Sequence, residues 1–314
     1  MHNETYNREC PKSSQVQERI VQVRRTKRTL KAYAKNALLR GLSAARKFEP
    51  AESKRRRLRK ELVSRYLGPN RKLADSWIGQ QTETENFYYE LTPKNRSDLA
   101  SLVGVVVGLP FEHVDAYLSE LRSDEELEDL ILSSWALDST RADATVGFGR
   151  REGWYAFIRA MKPKVVVETG VHDGVGACVI LAALRENASE GFPGQYFGTD
   201  IRPNAGWLIP THFKSNASVL IGDSLDTLSA FDHQIDIFIN DSDHSAEYEA
   251  REYEMIRSKL TPNSLILGDN SHNTESLRQF SRKNSRPYLF FREEPMKHWY
   301  PGGGIGISPA SIPH

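Results

Sequence analysis

The stretch that decides the fold is Val165-Val166-Val167-Glu168-Thr169-Gly170-Val171-His172-Asp173-Gly174-Val175-Gly176. It is a short β-branched run that ends in an acid and continues into a glycine-spaced turn. A continuous apolar run is typical of a strand buried on both faces of a parallel sheet. Glycines directly after such a strand let the backbone approach a ligand where side chains would block it. A helical pattern from about Ala177 to Leu184 follows, so the stretch predicts a strand, a close-approach turn and a helix.

Length and composition narrow the class of protein. The chain has 314 residues, of which 39% are apolar and 10% aromatic, as is ordinary for one large or two modest globular domains. No apolar run approaches the roughly 18–20 residues that span a bilayer, and the polar N-terminus has no signal-peptide core. Cys10 and Cys178 form no disulfide framework, and Cys178 is expected to be a small buried residue. These features predict a cytoplasmic protein.

Charge is distributed very unevenly. Residues 1–72 contain 21 Lys and Arg against 6 Asp and Glu, a net charge of +15. Because the whole chain carries only +1, the remainder carries −14. This asymmetry predicts a basic arm joined to an acidic globular body.

We expect residues 1–85 to form that basic helical arm, partly disordered over the first 15 residues. Apolar residues recur at near-helical spacing from Val16 to Phe48, and a dense basic cluster follows at Lys54–Lys60. Such a helix can lie on an anionic membrane, contact another polyanion, pair with the acidic body or with a second copy of the chain, or pack locally. Nucleic acid is the least favoured partner, because the cluster has no interleaved aromatic residues and no known nucleic-acid motif.

The rest of the chain divides into a helical adapter, residues 86–148, and an α/β domain, residues 149–314. The adapter is expected to hold two short helices broken near Gly108-Leu109-Pro110, followed by a third helix. From about Gly149 strand and helix patterns alternate, which predicts a mainly parallel, seven-stranded Rossmann-like sheet with helices on both faces. The last strand is expected to be antiparallel. The predicted strands are 165–168, 195–199, 218–221, 235–240, 264–267, 288–291 and 304–307, and the predicted helices are 177–185, 225–231, 245–260 and 275–284.

Polar residues follow the second and third predicted strands. Ligands of open α/β sheets bind at the carboxyl ends of strands. Asp200 stands after the second strand, where a carboxylate can accept hydrogen bonds from both hydroxyls of a ribose. Asp223 follows the third strand and fits two roles, contact with an adenine amino group or the cap of the next helix.

The fourth and fifth predicted strands end in groups that suit a metal. Asp241 follows one strand, and Asp269 and Asn270 follow the other. Together they supply three hard oxygen ligands, which suits Mg²⁺ or another small divalent ion. His244 lies three residues beyond Asp241, where a neutral imidazole can act as a general base.

These motifs resemble the class I S-adenosylmethionine (SAM) methyltransferases, in particular metal-dependent O-methyltransferases related to the catechol, caffeoyl-CoA and macrolide-sugar enzymes. The resemblance covers about residues 149–314. It implies that cofactor contacts come from Glu168, Gly170, Gly174, Asp200, Asp223 and Asp241. It also implies metal ligation by Asp241, Asp269 and Asn270, with His244 as the catalytic base.

The resemblance implies O-methylation of a hydroxyl on a small molecule, sugar or glycan, with SAM as cofactor and Mg²⁺ or another divalent cation bound. The substrate-side loops do not match the catechol enzymes, and the segment His298–Gly304, aromatic residues followed by glycines, suits a substrate-pocket wall or a simple turn. Two rivals stay open: a cephalosporin-hydroxylase-like enzyme of the same fold, and a non-catalytic scaffold whose basic arm binds a membrane or polyanion.

Overall fold

The structure is a computed structural model that describes residues 51–79, 87–137, 146–269 and 271–313. The chain divides into two compact units, residues 1–69 and 70–314. The helical pattern predicted for Val16–Phe48 and the disorder predicted before it lie outside the described residues. Helix α1 (Ala51–Ile78) contains the basic cluster Lys54–Lys60, most of which is exposed. In the ranges given above, no helix combines the length and apolarity needed to cross a membrane.

Three helices lie within the described residues 87–137, as predicted for the adapter. They are α2 (Pro93–Val107), α3 (Phe111–Arg122) and α4 (Glu125–Trp135). Helix α2 begins with a capping Thr92, whose side chain accepts a hydrogen bond from the amide of Asn95. It ends at Gly108, whose φ of 73° is easily adopted only by glycine. The predicted break between the first two adapter helices is therefore confirmed. The boundaries predicted at 85/86 and 148/149 stay predictions.

Seven strands form one sheet in the order β3-β2-β1-β4-β5-β7-β6. Strands β1 to β5 pair in parallel, whereas β7 runs antiparallel to both of its neighbours, β5 and β6. The strands are β1 (Val165–Thr169), β2 (Gln195–Asp200), β3 (Ala217–Ile221), β4 (Ile235–Asn240), β5 (Leu260–Asp269), β6 (Leu289–Arg292) and β7 (Gly304–Pro309). The Rossmann-like sheet with an antiparallel last strand is confirmed.

The helices that accompany the sheet are α5 (Arg151–Met161), α6 (Val175–Ser189), α7 (Ser224–Ala230), α8 (Ala246–Ile256) and α9 (Ser276–Lys283). Two helix ends differ from the prediction by four residues. The helix expected to end at Arg185 continues to Ser189. The helix expected to reach Leu260 ends at Ile256, and a 3₁₀ turn at Arg257–Lys259 follows it. Leu260 instead begins β5, because it pairs with Ile235 across an irregularity in the β4–β5 register.

The core lies on both faces of this sheet. Helices α5 and α6 pack against each other on one face, and their side chains Trp154, Phe157 and Ile180 are completely buried. Cys178 is buried in the same layer, as predicted. Tyr253 and Phe280, from α8 and α9, belong to a second buried cluster with Phe238 of β4. These two layers hold the strands rigidly, so the residues at their carboxyl ends occupy fixed positions.

Candidate functional site

Two adjoining cavities lie at the carboxyl ends of β1 to β4. The larger, of about 580 Å³, is lined by Asp200, Asp223 and Tyr248 among others. The smaller, of about 180 Å³, is lined by Glu168, Gly174 and His244 among others. Both share Gly170, His172, Asp241 and Ser242. The structure therefore brings the predicted cofactor residues Glu168, Gly170, Gly174, Asp200, Asp223 and Asp241 to one continuous cleft.

The glycine turn after β1 is packed too tightly for side chains. Gly170 has a φ of 84°, and a Cβ there would collide with the carbonyl oxygen of Asp241. Gly174 has a φ of 105° immediately before helix α6. The amide of Gly170 donates to the carbonyl of Thr199 over 2.8 Å, which fixes the turn to β2. The turn therefore presents backbone to the cleft, as the sequence predicted.

Glu168 lies beneath this turn and is almost completely buried. The hydroxyl of Tyr196 donates a hydrogen bond to its carboxylate. Burial raises the pKa of Glu168 to about 8, against the opposing effects of that hydrogen bond and of the nearby Arg151. Glu168 therefore favours its neutral form at neutral pH until a positive group reaches the smaller cavity.

Asp200 holds the end of β2 and the glycine turn together. Its carboxylate accepts hydrogen bonds from the backbone amides of His172 and Arg202, each over 2.8 Å. The Arg202 guanidinium donates to the same carboxylate over 3.3 Å. Burial opposes the charged form, but these hydrogen bonds outweigh it and keep the pKa of Asp200 below its ordinary value. The residue is thus an ionised acceptor at the edge of the larger cavity.

Asp223 has the second of the two roles considered for it, the helix cap, and the contact with adenine stays a prediction. Its carboxylate caps α7 by accepting from the amide of Leu225 over 2.8 Å, and it also lines the larger cavity. The hydroxyl of Tyr248, on α8, donates to the same oxygen over 2.9 Å. The cap fixes the carboxylate in the position from which it faces the cavity.

Buried Glu252 organises the base of the cleft, and the sequence analysis did not single it out. It accepts hydrogen bonds from Ser224, at the start of α7, and from Asn240 and Ser242, at the end of β4 and just after it. Burial raises its pKa to about 7, although those hydrogen bonds oppose the shift. The sequence contains a signal for its burial, because Glu252 lies four residues before Ile256, on the apolar side of α8.

The predicted metal ligands Asp241 and Asp269 lie side by side at the ends of β4 and β5. Burial and the charge of Asp269 raise the pKa of Asp241 well above its ordinary value. Burial also opposes ionisation of Asp269, but Arg150 outweighs it and lowers the pKa of that carboxyl. The third predicted ligand, Asn270, lies outside the described residues.

Arg150 forms an ion pair with Asp269, and no sequence pattern predicted this contact. Its Nε and Nη2 donate to the two carboxylate oxygens of Asp269. Within the described part of the chain, no three His, Cys, Asp or Glu side chains converge on a point where they could hold a metal ion. A divalent ion would compete with the guanidinium for both oxygens of Asp269, so the residues as arranged do not fit a resident metal. No sequence pattern marks an arginine before α5 as a partner of a strand end 119 residues away.

His244 lies at the mouth of the smaller cavity. Its Nε2 is 3.9 Å from a carboxylate oxygen of Asp241, and its side chain is 40% exposed. Asp243 accepts a hydrogen bond from the amide of Ser245, just before α8, over 2.7 Å. The structure therefore places the predicted base beside Asp241, at the mouth of the cleft.

Comparison with known proteins agrees with this geometry. Residues 167–271 match a family model described as a methyltransferase domain. No curated protein matches the chain in sequence. An O-methyltransferase from Bacillus cereus, solved with S-adenosylhomocysteine, is 15% identical, with 62% of this chain and 96% of that chain aligned and a TM-score of 0.46. TomG from Streptomyces achromogenes, an O-methyltransferase of tomaymycin synthesis solved with SAM, is 12% identical, with 60% and 91% aligned and a TM-score of 0.46.

Both TM-scores are below 0.5. The enzyme class is therefore inferred from the family match, the strand order and the cleft at the strand ends. Neither points to the hydroxylase-like rival or to a scaffold without a catalytic domain. The resemblance predicted from the sequence is confirmed at the level of the enzyme class. Residues 167–271 thus match a methyltransferase domain, and they lie within a Rossmann-like fold.

Proposed function

We propose that the chain transfers the methyl group of SAM to a hydroxyl oxygen of a small molecule, sugar or glycan. The observation that carries this proposal is the continuity of the two cavities. One cleft leads from Asp200 and Asp223, past the glycine turn, to Asp241 and His244. A cofactor held along the strand ends would thus present its reactive end beside a base that faces solvent.

Each part of the cleft suits one part of SAM. The ionised Asp200 suits the ribose hydroxyls, and Asp223 suits the adenine amino group. The glycine turn and Glu168 suit the methionine portion, whose ammonium group would favour ionisation of Glu168. A cavity of about 580 Å³ with an adjoining one of about 180 Å³ falls within the usual range for a small-molecule site.

When bound, SAM supplies an electrophilic methyl group on a positively charged sulfur. The chain's own residues then have two tasks. His244 accepts the proton of the acceptor hydroxyl at its Nε2, which lies 3.9 Å from a carboxylate oxygen of Asp241. The glycine turn and the strand ends hold the reactants in line, and this positioning supplies much of the rate.

The divalent ion expected from the sequence is a rival route within the same function. The proximity of Asp241 and Asp269 supports it, because two adjacent carboxylates attract a dication. The Arg150 guanidinium on both oxygens of Asp269 opposes it. Metal binding by the wild type and by Arg150→Gln distinguishes the two routes.

The basic arm extends the proposal to a partner. The cluster Lys54–Lys60 lies mostly exposed on α1, together with the half-exposed Leu58 and Leu62. Basic and apolar side chains on one helix favour contact with an anionic membrane surface, which would place the enzyme peripherally in the cytoplasm. Co-sedimentation of the full chain with phosphatidylserine vesicles checks this, and equal binding after replacement of the cluster by glutamines would contradict it.

Calorimetry of SAM binding to the full chain is the primary test of the proposed function. We expect saturable binding by the wild type and clear weakening by Asp200→Ala. Asp226→Ala, on α7 and away from both cavity linings, is the matched control and should bind normally. Absence of SAM binding by the folded wild type would refute the proposal. Methyl transfer from labelled SAM to a panel of hydroxylated acceptors then identifies the acceptor class.

A further inference from the structure

Arg150 is buried among acidic groups from three separate segments. Its side chain is 13% exposed, whereas those of Asp269 and Glu293 are completely buried. It pairs with both oxygens of Asp269, and its Nη1 lies 3.7 Å from a carboxylate oxygen of Glu293. Asp241, adjacent to Asp269, is the third acid whose charge acts on the guanidinium. One cation therefore serves three carboxyl groups beside the proposed acceptor site.

The arginine is fixed at its backbone as well as at its side chain. Its amide donates to Glu293 over 2.7 Å. Glu293 is itself held by the hydroxyl of Tyr89 over 3.1 Å and by the amide of Gly303 over 3.0 Å. Arg150 thus belongs to a connected network between the start of α5, the end of β5 and the segment before β7. Moving it aside would leave buried carboxylates uncompensated, which is costly in a protein interior.

A guanidinium and a divalent ion each supply the positive charge that stabilises a pair of neighbouring carboxylates. Each neutralises them and fixes their orientation, and the guanidinium adds two parallel hydrogen bonds of defined geometry. Both cannot occupy the same oxygens without strong mutual repulsion at close range. The geometry points to Arg150 as the resident cation of this site, so that methyl transfer proceeds without a bound divalent ion.

This inference rests on the proposed function and makes Arg150 a positioning residue. It orients Asp269 and so stabilises the neighbouring Asp241, which in turn lies beside His244. A merely structural ion pair would affect only stability. A cation site occupied by Arg150 predicts a further effect. Removing the guanidinium should allow an added metal ion to bind the carboxylates.

The test is a titration of the full chain, loaded with S-adenosylhomocysteine, with Mn²⁺ alone, followed by electron paramagnetic resonance and calorimetry. We expect no stoichiometric Mn²⁺ binding by the wild type at micromolar metal. Arg150→Gln should raise Mn²⁺ affinity at least about tenfold, and the added Asp269→Asn substitution should abolish the gain. Arg150→Lys retains the charge and should bind Mn²⁺ no better than the wild type, which provides a second variant if Arg150→Gln is unstable.

Arg96→Gln is the matched control. Arg96 forms a comparable buried pair with Glu152, through contacts of 2.7 and 3.0 Å, but lines neither cavity. Its loss should lower stability without any gain in Mn²⁺ affinity. Tight, Asp269-dependent Mn²⁺ binding by the wild type would overturn the inference, as would equal Mn²⁺ affinities of the wild type and Arg150→Gln. SAM binding is measured separately, so either result leaves the proposed function to its own test.

Discussion

Replacing Glu252 by glutamine should change how the stability of the protein depends on pH. Burial raises the pKa of Glu252 from an ordinary 4.5 to about 7. The folded state therefore favours the protonated acid more strongly than the unfolded chain does. This contribution to stability is fully present below pH 4.5 and is lost as the pH rises towards about 7. Glutamine has the same shape and stays neutral, so the variant should not lose it.

The magnitude follows from the two pKa values. At about 1.4 kcal/mol per pH unit, the full loss is about 3 kcal/mol, of which about 2–3 kcal/mol falls between pH 5 and pH 9. Over this pH range, the free energy of unfolding of the wild type should therefore fall by that amount relative to that of Glu252→Gln. Glu168, whose pKa is also raised, is present in both proteins, so its effect cancels.

The assay is urea unfolding of both proteins at a series of pH values, followed by circular dichroism. Glu247→Gln, at an exposed position of the same helix, is the control and should show a constant difference from the wild type. The amide of the variant also donates, so some hydrogen bonds to Ser224, Asn240 and Ser242 change, which adds a constant offset. A pH-independent difference in unfolding free energy between Glu252→Gln and the wild type would show that burial does not raise the pKa of Glu252.

Three further predictions concern the cleft. Asp200→Ala should weaken SAM binding by about 1–3 kcal/mol, because the ribose hydroxyls lose a charged acceptor; unchanged affinity in calorimetry would remove Asp200 from the cofactor site. A left-handed backbone costs a residue other than glycine about 1–3 kcal/mol. Gly170→Ala should lower the free energy of unfolding by more than this, because the added carbon also collides with the backbone of Asp241. Wild-type stability in urea would contradict this. His244→Ala should keep SAM binding and slow methyl transfer by about 10²–10⁴-fold; a normal rate would show that His244 is not the base.

The fold was predictable because its signals are local. Runs such as Val165–Val167 and Ile235–Ile239 alternate with helical patterns, and the observed strands agree with the predicted ones within a few residues. The only strand that began clearly earlier than predicted was β5, where pairing between Leu260 and Ile235 extended it. That pairing is a tertiary contact, which local periodicity does not report.

The candidate site was predictable only in part, for the same reason. Each polar residue directly after a strand, such as Asp200 or Asp241, lies at the cleft because parallel strands end at one edge of the sheet. Arg150 and Glu252 reach the same edge from helices or from distant loops. Their positions depend on how α5 and α8 pack, so no spacing in the sequence relates them to the strand ends. The metal was expected from Asp241, Asp269 and Asn270 because that pattern does not reveal the arginine that pairs with Asp269.

The position of β7 affects when the site forms during folding. Strand β7 lies between β5 and β6 although it follows both in the chain. During synthesis, the side of β5 that will face β7 has no strand partner until residues 304–309 have left the ribosome. Unpaired strand edges of this kind promote aggregation and chaperone binding. The strand that carries Asp269 is thus completed among the last steps of folding, and we expect nascent chains halted before Gly304 to bind chaperones instead of SAM.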